Sequence, residues 1–150
     1  MSFATSMSAI GVHMAAAGTA VTPQIIDVAR GAPVSVNTRM GRYWYAGTSE
    51  PPHYPGGTTL TTRMIGRRVT LAFFWPISDK AVLAGLDDEI QAVEEAIYSR
   101  LLGDSTLDGA CDDLLVGDAE VDYPVVNGAQ TAELTIPLIL DFGEAYAIAP

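Results

Sequence analysis

Leu86, Ile90, Val93, Ile97 and Leu101 recur at steps of four, three, four and four, which sets five apolar side chains on one stripe of a 3.6-residue helix. At about 1.5–3 kcal/mol per fully buried side chain the stripe contributes roughly ten kcal/mol before entropy, so another layer must cover it. Asp87, Asp88 and Glu89 lie near its start and Arg100 near its end, each sign where the helix dipole favours it, and Gly103 ends the helix. A first helix is predicted over residues 4–17, with Met7, Ile10, Met14 and Ala17 on one side and Gly18 after it. A short helical turn is predicted over residues 23–29, with Thr22 as N-cap, Pro23 at the first helical position and Gly31 beyond its end.

Elsewhere the period is two. Between Pro33 and Tyr45, Val34, Val36, Met40 and Trp44 share one parity, opposite Ser35, Asn37 and Arg39. Alternation resumes from Thr61 to Trp75, where Val69, Leu71, Phe73 and Trp75 face one way, and Pro76 ends it. These two segments form a predicted hairpin whose tip, residues 47–59, is dense in Pro and Gly and is expected to be an exposed loop. A third strand spans about Leu114 to Val125, with Leu115, Ala119, Val121 and Tyr123 opposite Asp118, Glu120 and Asp122. Asn127-Gly128 is a two-residue hairpin signal leading to a fourth strand over 131–143, where Leu134, Ile136, Leu138, Leu140 and Phe142 share a face. Pro137, on the other parity, implies an edge position or a bulge. The expected fold class is α+β: an antiparallel four-stranded sheet of two hairpins with helices packed on one face, in the order α-β-β-α-β-β, within one domain of 150 residues.

Asp104-Ser105-Thr106-Leu107-Asp108-Gly109 reads as a compact turn, its Asp and Ser side chains able to bond nearby backbone and Gly109 able to take positive φ. An amphipathic helix, a Gly stop, this Asp-x-x-Leu-x-Gly turn and two final strands, from about Asp79 to Phe142, resemble the C-terminal half of the tail-terminator and minor tail (neck) proteins of long-tailed bacteriophages. The resemblance implies a structural virion protein of the tail or neck, made in the host cytoplasm. It also implies a homomeric ring, a hexamer in the family, that caps the tail tube and meets the head connector or stopper protein. Another neck or minor tail protein of this fold is the neighbouring alternative. A small acidic enzyme or ligand-binding domain, which needs a deep pocket, is the alternative from another class.

Charge sharpens this picture. Residues 1–80 hold seven basic residues against Asp27, Glu50 and Asp79, while residues 81–150 hold Arg100 alone against fifteen acids, for a net charge of −10. So uneven a split suggests internal ion pairing or head-to-tail contact between copies, and the candidate subunit interface is Arg39, Arg42, Arg67 and Arg68 against Asp118, Glu120 and Asp122. A strongly acidic chain is a poor binder of nucleic acid, although DNA is free to pass through an acidic ring. Tyr43, Trp44 and Tyr45 beside Arg39 and Arg42 are read as core or interface residues rather than base-stacking platforms.

Chemistry is sparse. One cysteine, Cys111, excludes an internal disulfide, and with only His13 and His53 beside it a structural zinc site is not expected. Asp104, Thr106, Asp108 and Gly109 match the first positions of a calcium loop, but Leu115 stands where Glu is needed and a strand follows in place of a helix. No nucleophile elbow, P-loop, dinucleotide fingerprint or zinc-protease motif occurs, so no catalytic residue, metal or cofactor is expected. No apolar run is long enough for a membrane span, and the first 29 residues lack the basic segment of a secretory signal.

Overall fold

In a computed structural model, the chain is described over residues 2–48, 61–77 and 83–146, with the side chains at 61–65, 83–84 and 143–146 outside the description. Its elements are α1 (Phe3–Thr19), β1 (Asp27–Arg30), β2 (Met40–Thr48), β3 (Thr61–Pro76), α2 (Leu83–Leu102), β4 (Asp113–Val116), β5 (Glu120–Asp122), β6 (Val125–Val126) and β7 (Ala129–Tyr146). The expected loop tip at 49–59, including His53, lies outside the described residues.

The centre of the fold is the antiparallel pair β3 and β7, which stay in register from Thr61↔Tyr146 to Pro76↔Thr131 without a bulge. Alternation then sorts their side chains. Val69, Leu71, Phe73 and Trp75 of β3 and Leu134, Ile136, Leu138 and Leu140 of β7 bury on one face together with Met7, Ile10, Met14 and Ala17 of α1 and the whole Leu86–Leu101 stripe of α2. The opposite face carries a smaller cluster, Val36, Met40, Ala72 and Phe74, with Trp44 and Val126 against it. Ser2 caps α1, its Oγ accepting the Thr5 amide at 3.0 Å. Gly18, inside the last turn, lets the Ile25 carbonyl approach so closely that a Cβ would collide with it, and the Ile25 amide in turn donates to Gly18 O at 2.9 Å.

Among the described residues, the expected four-stranded antiparallel sheet in the order α-β-β-α-β-β is corrected to a mixed sheet of seven strands in the order α-β-β-β-α-β-β-β-β, arranged β1-β2-β3-β7-β4, with β5 and β6 also on β7. Two causes are visible. The segment expected as a helical turn at 23–29 is instead strand β1, which runs parallel to β2. A helix that short is below the cooperative length, whereas the sheet edge offers ready backbone partners and lets Ile25 bury while Asp27 pairs with Arg42. The strand expected from Pro33 starts only at Met40, because residues 31–39 form the connection between the parallel strands; Val36 buries under it and Val34 stays 86% exposed.

The expected third strand is the other cause, since it divides into β4, β5 and β6. Pro137 lies in the interior of β7, not at an edge, and cannot donate to the strand beside it. There β4 ends at Val116↔Leu138, β5 resumes at Glu120↔Thr135, and the register slips by one residue, a bulge. Gly117 donates to Pro137 O at 2.8 Å within this bulge, and a Cβ at Gly117 would sit 2.6 Å from Pro137 Cγ. Pro124 separates β5 from β6 in the same way, its carbonyl taking both the amide and the hydroxyl of buried Thr131 at 3.0 and 2.8 Å. Asn127 and Gly128, both at positive φ, close the two-residue turn from β6 to β7.

Ile97 is fully buried at the middle of the α2 stripe. Ile97→Asp should therefore cost roughly 4 kcal/mol or more, a large share of the stability of a domain this size. Circular dichroism melts are expected to show loss of the cooperative transition; an unchanged melt would contradict the packing of α2.

Candidate subunit interface

Among the seven residues proposed from charge, Arg39 and Arg42 pair with carboxylates of the same chain. Arg39, just before β2, donates from Nε to Glu89 Oε1 at 2.7 Å and from Nη2 to Oε2 at 3.3 Å, linking the start of β2 to α2. Arg42 bonds both carboxylate oxygens of Asp27, at 2.9 and 3.1 Å, and two carbonyls, Asp27 O and Gly41 O, at 3.0 and 2.8 Å, which fastens β1 onto β2. These arginines supply charge to the surface, but their donors are committed. Internal pairing is thus one use of the split charge.

Arg67 and Arg68 are neighbours on β3 and so point to opposite faces. Arg67 lies on the helix-bearing face, where its guanidinium approaches the Tyr45 hydroxyl at 3.4 Å and Thr48 Oγ1 at 3.5 Å. The Tyr45 phenol is held below its usual range, first by its bond with Thr48 and then by Arg67. Phe3 of α1 sets its edge on Tyr45 and on Phe142, with ring centres 5.3 and 6.3 Å apart, and Arg30 stands over the Phe3 ring at 5.7 Å. Arg68 is exposed on the other face.

Glu120 and Asp122 are also exposed on that other face, opposite Thr135 and Glu133 of β7, while exposed Asp118 sits in the bulge. Within one chain, Arg68 pairs across from Ile139, some way along β7 from these acids, so the structure does not bring the two groups together. It sorts them laterally instead. Strands β1, β2 and β3 carry Arg30, Arg42, Arg63, Arg67 and Arg68 against Asp27 alone; β4, β5 and β7 carry Asp113, Glu120, Asp122, Glu133, Asp141 and Glu144 and no basic residue. The charge split of the chain has become a polarity across the sheet.

One cluster went unread in the sequence. His13, partly buried on α1, accepts at Nδ1 from Arg100 Nε at 3.2 Å, and its Nε2 lies 2.7 Å from Asp104 Oδ2, so Nε2–H is the donor there. The other oxygen, Asp104 Oδ1, takes the Asp108 amide at 2.8 Å, in a turn where Leu107, Asp108 and Gly109 are all left-handed. Both oxygens of this carboxylate, the first position of the partial calcium-loop match, are thus engaged by the chain itself. His13 flanks the buried Ile10 and Met14, and Arg100 and Asp104 stand four residues apart; only the crossing of α1 over α2 joins them. Beside them runs an open groove of about 670 Å³ between the helices. A second groove, about 390 Å³, lies between α2 and β5, with Ile90, Val121 and Tyr123 among its walls. Cys111 is buried, and burial first, then nearby carboxylates, push its thiol up to about 11, too high for a reactive thiolate at neutral pH. No group of metal-binding side chains and no helix long and apolar enough to cross a membrane occurs among the described residues.

No family model and no curated protein matches the chain. A solved protein chain aligns over 93% of this chain and 96% of its own length, at 13% identity and a TM-score of 0.42, a likeness that fixes neither fold nor function.

Burial raises the Asp104 carboxyl, but the Asp108 amide and His13 outweigh it and hold the group below its ordinary value of 3.8. A carboxyl lowered by folding stabilises the fold above its unfolded pKa, and that contribution disappears as pH falls through the folded value. Asp104→Asn should therefore destabilise the protein by about 1–3 kcal/mol at pH 7, with parent and variant converging as pH falls through the lowered folded value. Urea melts across that range test the sign; a gap that stays constant with pH would overturn it.

Proposed function

We propose that the chain is a structural virion protein: the subunit of a homomeric ring that caps the tail tube of a long-tailed bacteriophage and joins it to the head connector. The reading rests on the family resemblance of residues 79–142, and the observation that carries it physically is the lateral charge polarity of the sheet. A body positive at one edge and negative at the other favours the heterologous contact from which rings close. Arg67 and Arg68 belong to the positive side of the seam, Asp118, Glu120 and Asp122 to the negative. Arg39 and Arg42 add field there while remaining bound to Glu89 and Asp27.

The same polarity fits a wall along which DNA travels. Each copy has net charge −10, so a ring of six gathers far more negative than positive charge, and an acidic lumen repels phosphate. The partners in this reading are further copies of the chain, the tail tube protein and the connector or stopper protein. No step requires a catalytic residue or cofactor.

Glu120→Lys with Asp122→Lys tests the seam. Both side chains are exposed, so the monomer should melt within about 0.5 kcal/mol of the parent. Like charges would then meet across the seam and association should weaken by at least about tenfold, with a reduced salt dependence. Light scattering and native mass spectrometry over a concentration and salt series, with and without purified tail tubes, measure this. Unchanged assembly of the variant removes the charged seam; a parent that stays monomeric alone and with tubes removes the ring.

A further inference from the structure

The two edges of the sheet stand at one level. Read across the pairings, Val28 of β1 lies beside Gly41, Gly41 beside Phe73, Phe73 beside Leu134, and Leu134 beside Val121 of β5. The next row runs from Ala29 through Arg42, Ala72 and Thr135 to Glu120. No axial offset separates β1 from β5. Their directions match as well: β1 runs with β2, and β3, β7 and β5 each reverse, so β1 and β5 are antiparallel. A copy placed alongside in the same orientation therefore brings an antiparallel strand to the exposed edge.

The backbone phases agree. Gly31 donates to Tyr43 O on β2 at 2.9 Å, so by alternation the polar groups of Val28 and Arg30 point away from the sheet. The Val28 amide closes a tight turn on Ile26 O, which leaves the Val28 carbonyl and both Arg30 groups for a neighbour. On the far edge Thr131 donates to Pro124 O, which by the same alternation turns Val121 outward. Val28 and Val121 are thus both outward residues on one row, which lets the Val121 amide donate to the Val28 carbonyl. The same register sets Asp27 opposite Asp122, and Arg42, bound to Asp27 on the face that Glu120 and Asp122 share, is the counter-charge there, while Arg30 lies on the helix-bearing face. Ile26 on one edge and Val121 on the other are exposed apolar side chains.

We propose that β1 of one copy and β5 of the next pair as antiparallel edge strands, Val28 against Val121 and Ala29 against Glu120, so that the sheet continues from subunit to subunit. The pairing rests on the ring reading in taking a second copy as its partner, and a closed ring of such contacts leaves neither edge unpaired.

Ala29 and Glu120 form a pair without backbone hydrogen bonds, whose Cα atoms approach to about 4.5 Å, within disulfide reach. Both are exposed, and Cys111 is buried. The full chain carrying Ala29→Cys with Glu120→Cys, oxidised mildly alone and on purified tail tubes, should give a ladder of covalent oligomers on non-reducing gels, while each single variant stays monomeric. A dimer from Ala29→Cys alone means that β1 meets β1, and one from Glu120→Cys alone that β5 meets β5; either overturns the pairing. Val121→Pro is the second variant. It removes an outward amide and spares the β5–β7 ladder, so melts should match the parent while association weakens roughly tenfold. Assembly by light scattering without a ladder, or with Val121→Pro equal to the parent, refutes the edge pairing and leaves the ring standing. A parent that never assembles, with or without tubes, removes both.

Discussion

The pairing of β3 with β7 is the constraint on which everything else depends. Its strands come from distant parts of the chain, and closing the loop from Pro76 to Thr131 costs roughly 3–4 kcal/mol in chain entropy. Backbone hydrogen bonds return little net energy, about 1 kcal/mol each at best. What holds the pair is the apolar face it presents. Val69 opposite Leu138, Leu71 opposite Ile136 and Phe73 opposite Leu134 are each buried. At about 1.5–3 kcal/mol per side chain these three rungs alone exceed the closure cost. α2 lies within the closed loop and supplies the cover, so the helix and the pairing require each other.

From that central pair the two edges acquire different characters. On the β2 side, arginines are spent on internal fastening: Arg42 clamps β1 through Asp27, and Arg39 reaches α2 through Glu89. On the β7 side the strands carry carboxylates and no cation. Exposed ion pairs contribute little to stability, so the value of this arrangement lies in the field it sets up around the molecule. The proposed pairing of β1 with β5 draws on their shared level and opposite direction within the sheet.

The edge beside β7 is kept short by its own residues. Pro137 takes a donor from the middle of β7, Gly117 is small enough to close against it, and Tyr98 of α2 donates its hydroxyl to Gly117 O. Pro124 interrupts the same edge a second time. Short, twisted edge segments resist indiscriminate pairing.

Periodicity alone determined the parts that bury apolar surface. The Leu86–Leu101 stripe, the Met7–Ala17 stripe, the inward parity of Val69 to Trp75 and of Leu134 to Phe142, and the Asn127-Gly128 turn are all present where residue spacing puts them, because burial pattern is a local property. The charge split was equally legible, because it is a property of residue order alone. Tertiary structure decided the rest. Residues 27–30 form a parallel edge strand because Gly18 admits Ile25 and Arg42 is within reach of Asp27, neither of which is local. The third strand breaks where Pro137 of another strand lies beside it. His13, Arg100 and Asp104 meet only because two helices cross, and Arg39 and Arg42 pair inward only because α2 and β1 pass close by. Spacing along a chain specifies which face a residue takes; what stands opposite that face depends on contacts between segments far apart in sequence.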